Sequence, residues 1–447
     1  MTLHGRISAR TARPPWGVLA LVAPLALATS LALAAPLLAE ETTTDSRPPA
    51  EQRLLSSLEA ALVQPMAQAA AARREAQRQE IHAGTAAAAP EVEWQSEGLD
   101  SSFGRELNAV DSLRLRKEVP LFGQHKDGRA VRHQADKTLE AAGRLQSLEI
   151  AGEAARAWLD LAVTLEQRTL AEHRLTRLDR ALLIQRKRLE LGEVAGAEVA
   201  QLELQRATDD LALRTLAVRQ RSLEERLQLL AGDAPTPHGG DLAELVTSLP
   251  PVPAEPERSA SPYRDAAEQQ LLLAEREADW TRGRAWGLPE LEFQIQRVPS
   301  LEGQSAFESY GLRLAVPLPL GRSGKARKAA AAARTDSANA EVRIATARLE
   351  QRLAESQAAL QNARETLGEL RPLEAELPST EHSLAEQFRL GAVSYLVYID
   401  GLARLDGLRS QLVDVRRALL QARLELGLLL ASEQYFPLPP SLLEDPS

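Results

Sequence analysis

The sequence predicts a mainly helical protein built from two copies of one unit, a β-hairpin followed by a long antiparallel helical hairpin. Long tracts are rich in Ala, Leu, Arg, Glu and Gln, which is the composition of extended helices and coiled coils. Four short segments alternate apolar and polar residues with a period of two, as strands with one apolar and one polar face do. The same landmarks recur in the same order in both halves. Together these observations predict a tandem duplication.

The duplication is visible in three pairs of matching landmarks. Each pair marks one step of the unit: the opening of the first strand, the junction between the second strand and a helix, and the turn of the helical hairpin. The members of the pairs lie 199, 197 and 199 positions apart. The pairs are Pro90 and Pro289, Pro120 and Pro317, and Gly192 and Gly391. Three landmarks in one order at nearly one offset indicate an internal repeat.

The N-terminal segment predicts export from the cytoplasm. Residues 1–39 carry three arginines before an apolar run that ends in small residues, which is the pattern of a secretory signal peptide. The run has 24 residues, and about 20 suffice to span a bilayer, so a retained anchor is the alternative. Pro24, Pro36 and the many alanines favour cleavage, which we expect near Ala39.

The remaining chain divides into four segments. The first repeat covers 40–232, with strands at about 90–98 and 110–122 and a helical hairpin at about 126–232. A Pro-rich linker, or a belt around the helices, covers 233–261. The second repeat covers 262–432, with strands at about 289–298 and 309–320 and a helical hairpin at about 325–432. Residues 433–447 are predicted to form an irregular C-terminal tail.

The helical hairpins carry coiled-coil patterns. The clearest seam is spaced 3-4-3-4 and comprises Leu405, Leu408, Leu412, Val415 and Leu419. Two prolines, Pro372 and Pro378, fall inside the long helix that precedes this seam. Because proline removes a helix hydrogen bond and clashes with the preceding turn, we expect a break or a kink there.

The four strands carry charge on one face. In "PELEFQIQ", from Pro289, Leu291 and Phe293 alternate with charged or polar residues. The charged residues expected to share a face are Glu91, Glu93, Arg114, Arg116, Glu290, Glu292 and Arg313. An ordinary hairpin over a soluble core is the alternative. Four strands cannot close on themselves, and open sheet edges in lipid leave unpaired backbone groups. In a membrane, several chains would have to pool their strands, with these charges lining a water-filled lumen.

Composition and motifs exclude other classes of function. The net charge of −9 and the absence of a basic arm argue against nucleic acid as a partner. Cysteine is absent, and the seven histidines are scattered without metal-ligand spacing, so no metal or cofactor site is expected. The Gly-Lys pair at Gly324 and Lys325 is followed by Ala326, whereas a phosphate-binding loop requires Ser or Thr there. We expect no enzyme activity.

Three stretches carry a resemblance to a known family. They are "LPELEFQIQ", "GLRLAVPLPLGRSGKARKAAAAAR" and "FRLGAVSYLVYIDGLARLDGLRS". In this duplicated order, over about Arg53 to Ser432, the chain resembles the TolC-like outer-membrane efflux channels, and among them most the heavy-metal and cation efflux branch. The resemblance implies a homotrimer whose four strands per chain form a shared 12-stranded β-barrel in outer-membrane lipid. The helical hairpins would form a tunnel across the periplasm.

The resemblance also implies roles for residues at the hairpin turns. Family members close this end with rings of acidic residues, and Asp400 matches one ring position, although Val397 occupies the neighbouring one. Asp400 as a plain solvated acid is the alternative. Contact with a periplasmic adaptor is implied for Gly192, Val194, Gly391, Val393, Ser394 and Tyr395.

The function implied is that of a passive conduit. The chain would be the outer-membrane channel subunit of a tripartite efflux system, exporting small solutes, with metal cations among the candidates. Its partners would be a periplasmic adaptor protein and an inner-membrane pump. The rival interpretation is a soluble periplasmic coiled-coil adaptor or scaffold, because adaptors also carry long helical hairpins after a signal peptide.

Overall fold

The computed structural model describes residues 48–86, 89–97, 110–119, 124–253, 261–284, 288–298, 305, 307–316 and 322–443. The predicted signal peptide lies outside the described residues. In chain order the elements are α1 (Ala50–Val63), α2 (Pro65–Thr85), β1 (Glu91–Glu97), β2 (Val110–Glu118), α3 (Gln124–Glu190), α4 (Gly196–Ala231), α5 (Asp241–Ser248), α6 (Pro262–Gly283), β3 (Glu290–Val298), β4 (Phe307–Ala315), α7 (Arg322–Arg389), α8 (Tyr395–Leu430) and α9 (Pro440–Leu443). The predicted duplicated unit of strand hairpin and helical hairpin is confirmed.

Two long helical hairpins form the body of the fold. Helices α3 and α7 have 67 and 68 residues, so each is about 100 Å long at about 1.5 Å per residue. Helix α3 packs against α4 and α8, and α8 packs against α7, which gives the lateral order α4-α3-α8-α7. The predicted seam is buried at Leu405, Leu412 and Leu419. No helix in the described part of the chain has an apolar run long enough to cross a bilayer.

Each helical hairpin turns at a glycine with a left-handed backbone. Gly192 has φ of 75° and Gly391 has φ of 74°. The amide of each glycine donates to the carbonyl three residues back, and the next amide donates to the carbonyl five residues back. These paired bonds form a Schellman motif, which satisfies the last carbonyls of a helix and ends it. We name the end that contains both turns, residues 188–200 and 388–400, the tip.

The predicted break at the two prolines is absent, and the kink given as its alternative stays a prediction. Helix α7 continues through Pro372 and Pro378 to Arg389. Both proline side chains lie on exposed positions, while the helix is held against α8 by buried residues such as Leu360 and Leu377. Tertiary packing along a helix of this length outweighs the local cost of two prolines, which is about 3 kcal/mol for each.

The strands form one antiparallel sheet in the order β1-β2-β3-β4. In the register of the first hairpin, Glu93 lies opposite Arg114. Between the hairpins Arg116 lies opposite Glu292, and in the second hairpin Glu292 lies opposite Arg313. The sheet lies next to the ends of α2, α3, α6 and α7 in the chain, whereas the tip lies at the other ends of α3 and α7. The structure therefore separates the sheet from the tip by the length of the helical hairpins.

The main core lies where α1, α3, α5 and α8 meet. It contains Trp158 and Phe436, both fully buried. Two predictions need correction here. The segment predicted as a linker contains α5, whose Leu242 and Leu245 are buried in this core. The tail predicted as irregular buries Phe436 and Leu438 and contains the one-turn helix α9. The sequence did not predict the burial of these two segments, because their apolar residues are interspersed with prolines and pack against residues that are distant in sequence.

Candidate functional site

The charged residues predicted to share a face of the sheet do so. Residues that lie directly opposite each other on antiparallel strands project to the same face, so the register places all seven together. Arg114 lies 3.9 Å from Glu93, and Arg116 lies 2.5 Å from Glu290, measured between guanidinium nitrogen and carboxylate oxygen. The structure thus shows a charged face with alternating signs across the strands.

Glu292 is the centre of this charged face. Its carboxylate oxygens lie 4.0 Å from nitrogens of Arg114, Arg116 and Arg313. The Glu292 side chain is largely covered, whereas that of Arg313 is exposed. Because Arg313 is on β4 and the other two arginines are on β2, Glu292 on β3 connects three strands electrostatically.

The opposite face of the sheet carries an uncovered apolar patch. Its exposed apolar residues are Val92, Trp94, Leu113, Leu115, Leu291, Phe293, Tyr310, Leu312 and Leu314. Charged residues share this face at its two ends, with Lys117 at one end and Asp111, Arg297 and Glu308 at the other. Exposed apolar patches of this size mark surfaces that contact lipid or another protein. Among the described residues the outer edges of β1 and β4 have no strand partner. An open edge presents a row of backbone groups ready to pair with another strand.

The tip places most of the predicted contact residues at its surface. Gly192, Gly391 and Ser394 are exposed, and Val194 and Val393 are half-buried. The Ser394 side chain accepts a hydrogen bond from the amide of Val397 and caps α8.

Tyr395, by contrast, is buried. It packs in a cluster with Val199, Leu202 and Phe388, and the Phe388 ring stacks on Tyr398 at 4.2 Å between ring centroids. Arg188 donates a 3.1 Å hydrogen bond to the Phe388 carbonyl, which ties the two turns together. Tyr395 therefore supports the tip surface from beneath.

Four large apolar side chains at the tip are more than half exposed, which was not anticipated from the sequence. They are Leu191, Leu390, Leu396 and Val397. Leu191 and Leu390 occupy equivalent positions directly before the turn glycines of the two repeats. The exposure of these residues could have been predicted from their positions outside the buried seams, because a leucine that cannot pack within its own hairpin must face outward.

Asp400 is an exposed acid with a local partner. Its side chain is 62% exposed and lies 2.8 Å from Arg404, one turn later on α8. An exposed pair of this kind is worth at most about 1 kcal/mol, so Arg404 partly offsets the charge of Asp400 without fixing the side chain.

A cluster of charged residues joins the two helical hairpins 10–18 residues from the turn glycines, which is about 15–27 Å from the tip. Arg177 on α3 bonds to Glu381 on α7 at 2.9 Å and to Asp406 on α8. Arg409 on α8 bonds to the same two acids, which closes a ring of alternating charges. We name these four residues the ion-pair ring. Although burial opposes it, hydrogen bonds from Arg177 and Arg409 lower the pKa of Glu381.

Asp209 extends the ion-pair ring to the fourth helix. Although it stands in a charged stretch of α4, Asp209 is buried and lies 2.7 Å from Arg174 on α3. Burial raises the pKa of Asp209, and Arg174 opposes that shift. In the described residues no group of three or more His, Asp or Glu is arranged to hold a metal ion.

Comparison with known proteins places this fold. The structure is similar to that of CusC, described as forming a transmembrane channel, with a TM-score of 0.72 at 17% identity over 85% of this chain and 92% of CusC. It is also similar to the outer membrane protein VceC of Vibrio cholerae, with a TM-score of 0.67 at 15% identity over 85% of this chain and 96% of VceC. The CmeC outer membrane channel of Campylobacter jejuni matches with a TM-score of 0.66 at 13% identity, over 85% of this chain and 85% of CmeC. No family model and no curated sequence matches the chain.

The likeness covers 85% of the chain, so it extends over parts of both repeats. At 13–17% identity it shows the fold. The resemblance seen in the sequence is thereby confirmed, and the chain has the fold of the TolC-like outer-membrane efflux channels.

Proposed function

We propose that this protein is the subunit of a homotrimeric outer-membrane channel, a passive conduit for small solutes with a long periplasmic extension. The observation that carries the proposal is the small sheet with one apolar face, one charged face and two open edges. It is attached to two helical hairpins about 100 Å long. Export to that location would use residues 1–39 as a signal peptide.

The sheet supports a membrane location shared by several copies. A sheet in lipid must pair every backbone group, which only a closed barrel achieves. Three copies supply twelve strands, an even number within the range of outer-membrane barrels. In such a barrel the Trp94 face contacts lipid and the Glu292 face lines water. The seven lining charges are four acids and three arginines, so each chain adds a small excess of negative charge that favours cations.

The two edge helices support the pairing of neighbouring copies. On α4, the outermost helix on one side, Leu204, Leu211 and Val218 are exposed and lie seven residues apart, as in a coiled-coil seam. On α7, the outermost helix on the other side, an exposed stripe of small residues has the spacing 4-3-4. It consists of Gly368, Pro372, Ala375 and Ser379.

These stripes lie at matching heights. Leu204 is 12 residues beyond the Gly192 turn and Ser379 is 12 residues before the Gly391 turn, so both lie about 18 Å from the tip. A rotation axis that is parallel to the hairpins and relates neighbouring copies does not change the distance of a residue from the tip along that axis. The large side chains of α4 can therefore pack onto the small residues of α7 in the next copy.

The tip supports contact with a periplasmic adaptor that is coupled to an inner-membrane pump. Its four exposed apolar side chains surround the turns at which the resemblance implies adaptor contact. Asp400 is proposed to line the aperture, where its charge would attract cations. The pump and the adaptor select the solute in such systems, and metal cations are the candidates that the sequence resemblance suggests.

Planar-bilayer recording of the purified, detergent-solubilised protein tests the proposal. We expect discrete conductance steps from the native protein. Trp94→Arg combined with Leu312→Arg should prevent insertion, because both changes place charge on the lipid face at about 2–4 kcal/mol for each at mid-depth. The matched control is Gln95→Arg, on the charged face, which should still insert. Absence of conductance from the native protein, with the same protein remaining soluble after detergent removal, would point to the adaptor interpretation.

A further inference from the structure

A cavity lies in the wall between the two helical hairpins, away from the sheet and the tip. It is lined by α3, α7, α8 and the loop that precedes α5, it opens to solvent, and its volume is about 460 Å³. That volume is in the range of small-molecule sites, about 300–1,000 Å³. Leu170, Leu377, Pro378, Leu412 and Val413 supply apolar walls.

One side chain in this cavity is a buried carboxylate with a free oxygen. Glu166 on α3 is 9% exposed. Its Oε1 atom is buried without a hydrogen-bond partner among the described residues. Such an atom is costly unless something pairs with it, because desolvating an unpaired polar group costs about 1–3 kcal/mol and more for a charge. Burial raises the pKa of Glu166, while Arg416 opposes that shift.

The other charges around the cavity are already matched. Arg416 lies 2.5 Å from Glu374, and Arg409 belongs to the ion-pair ring. Asp241, behind Glu166, pairs with Arg53. Among the charged residues that line the cavity, Glu166 is therefore the one without an ion pair within 4.0 Å, and it is set among apolar walls.

We propose that this cavity binds a small organic cation, with an ammonium group on Glu166 and an apolar body against Leu170, Leu377 and Leu412. An ammonium group donates hydrogen bonds and supplies the missing positive charge in one group. A divalent metal ion fits poorly, because Ca²⁺ takes about six to eight oxygen ligands and Mg²⁺ six. The cavity offers only one unpaired carboxylate. This binding site goes beyond the proposed function.

Calorimetric titration of the full-length protein in detergent with 2-phenylethylamine tests the site. The neutral analogue 2-phenylethanol has the same shape and no charge. We expect the amine to bind at least about tenfold more tightly than the alcohol, since hydrogen bonds to charged groups are the stronger ones. Glu166→Gln should remove that preference. The matched control is Glu153→Gln, an exposed position on α3, which should keep it.

A second variant covers the case in which Glu166→Gln disturbs folding. Thr169 lies at the cavity on an exposed position of α3, so Thr169→Trp fills the opening without touching the carboxylate. Thr169→Trp should weaken the binding of the amine and the binding of the alcohol to the same extent. The proposal is overturned if the native protein binds neither probe, if it binds both equally, or if Thr169→Trp and Glu166→Gln leave amine binding unchanged. Since the titration needs no membrane, its result is independent of conductance.

Discussion

Arg177 and Glu381 are 204 positions apart in sequence, yet a 2.9 Å bond between Nη1 and Oε1 joins them across the two helical hairpins. Each belongs to a different copy of the duplicated unit. The contact therefore connects the repeats, and Asp406 and Arg409 complete the ion-pair ring around it. The two hairpins are held together by charge at this level as well as by the leucine seams above and below it.

Removing one acid from the ion-pair ring should destabilise the protein. Glu381→Gln leaves two largely covered arginines, Arg177 and Arg409, with one acid between them. We expect the free energy of unfolding, from chemical denaturation, to fall by about 1.5–3 kcal/mol. The lowered pKa of Glu381 means that the folded chain resists protonation there. The difference between variant and native protein should therefore be present above pH 4.5 and disappear as the pH falls below it.

The control for this prediction is an exposed ion pair. Arg186 and Glu203 lie 2.6 Å apart and both are exposed. Glu203→Gln should cost less than about 1 kcal/mol. Equal effects of the two changes would contradict a special role for the ion-pair ring.

Adding a β-carbon at the tip turn should strain the backbone. Gly391 has φ of 74°, where an L-residue costs about 1–2 kcal/mol, so Gly391→Ala should lower the thermal unfolding midpoint. Gly407→Ala is the matched control, because Gly407 lies within α8 and has free space around its α-carbon. That change should raise the midpoint, since alanine favours a helix by about 1 kcal/mol. A loss at Gly407 equal to that at Gly391 would refute the backbone explanation.

Charging the stripe on α4 should prevent assembly. Leu211→Arg places a guanidinium where α7 of the next copy is proposed to pack, and native mass spectrometry in detergent should then detect monomers. Leu183→Arg makes the same change at an exposed leucine of α3, which is not an edge helix. It should leave the trimer intact. If the protein remains a trimer after Leu211→Arg, the interface between copies does not include this part of α4.

The charge at Asp400 should affect cation block of the channel. Asp400→Asn is expected to weaken block by Mg²⁺ in planar bilayers, and Arg404→Gln should strengthen it by releasing Asp400 from its partner. Asp210 and Arg214 form a similar pair on α4, at 2.7 Å, so Asp210→Asn is the control. Unchanged block in all three variants would leave Asp400 as a surface acid.

The stability of the protein should also respond to Glu166. Its raised pKa means that the folded chain binds this proton more readily than the unfolded chain. Stability contributed at Glu166 is therefore lost as the pH rises from 4.5 through the raised value. The charges around it are Arg416, Asp241, Glu374 and Arg409. Glu166→Gln should melt higher than the native protein at pH 7, by a margin that shrinks towards pH 4.5. A margin independent of pH would contradict this account.

Local patterns were enough to predict the fold and the charged face. Alternation around Glu292 assigned each strand residue to a face, and Gly192 and Gly391 signalled the turns through their backbone freedom. These features depend on a few neighbouring residues, so the sequence displays them directly.

Burial decided by distant partners was not predictable. Asp209 stands in a charged stretch and is buried only because Arg174 of another helix covers it. Glu166 is enclosed by a loop more than 70 residues later in the chain. The two prolines of α7 are the opposite case. Their local effect on a helix predicted a break, but packing against α8 keeps the helix continuous.

Membrane fractionation followed by light scattering of the detergent-extracted protein tests the central claim most directly. The account predicts an outer-membrane protein whose polypeptide mass corresponds to three chains. A soluble monomer would contradict it, because the apolar face and the open edges of the sheet would then have to remain exposed to water.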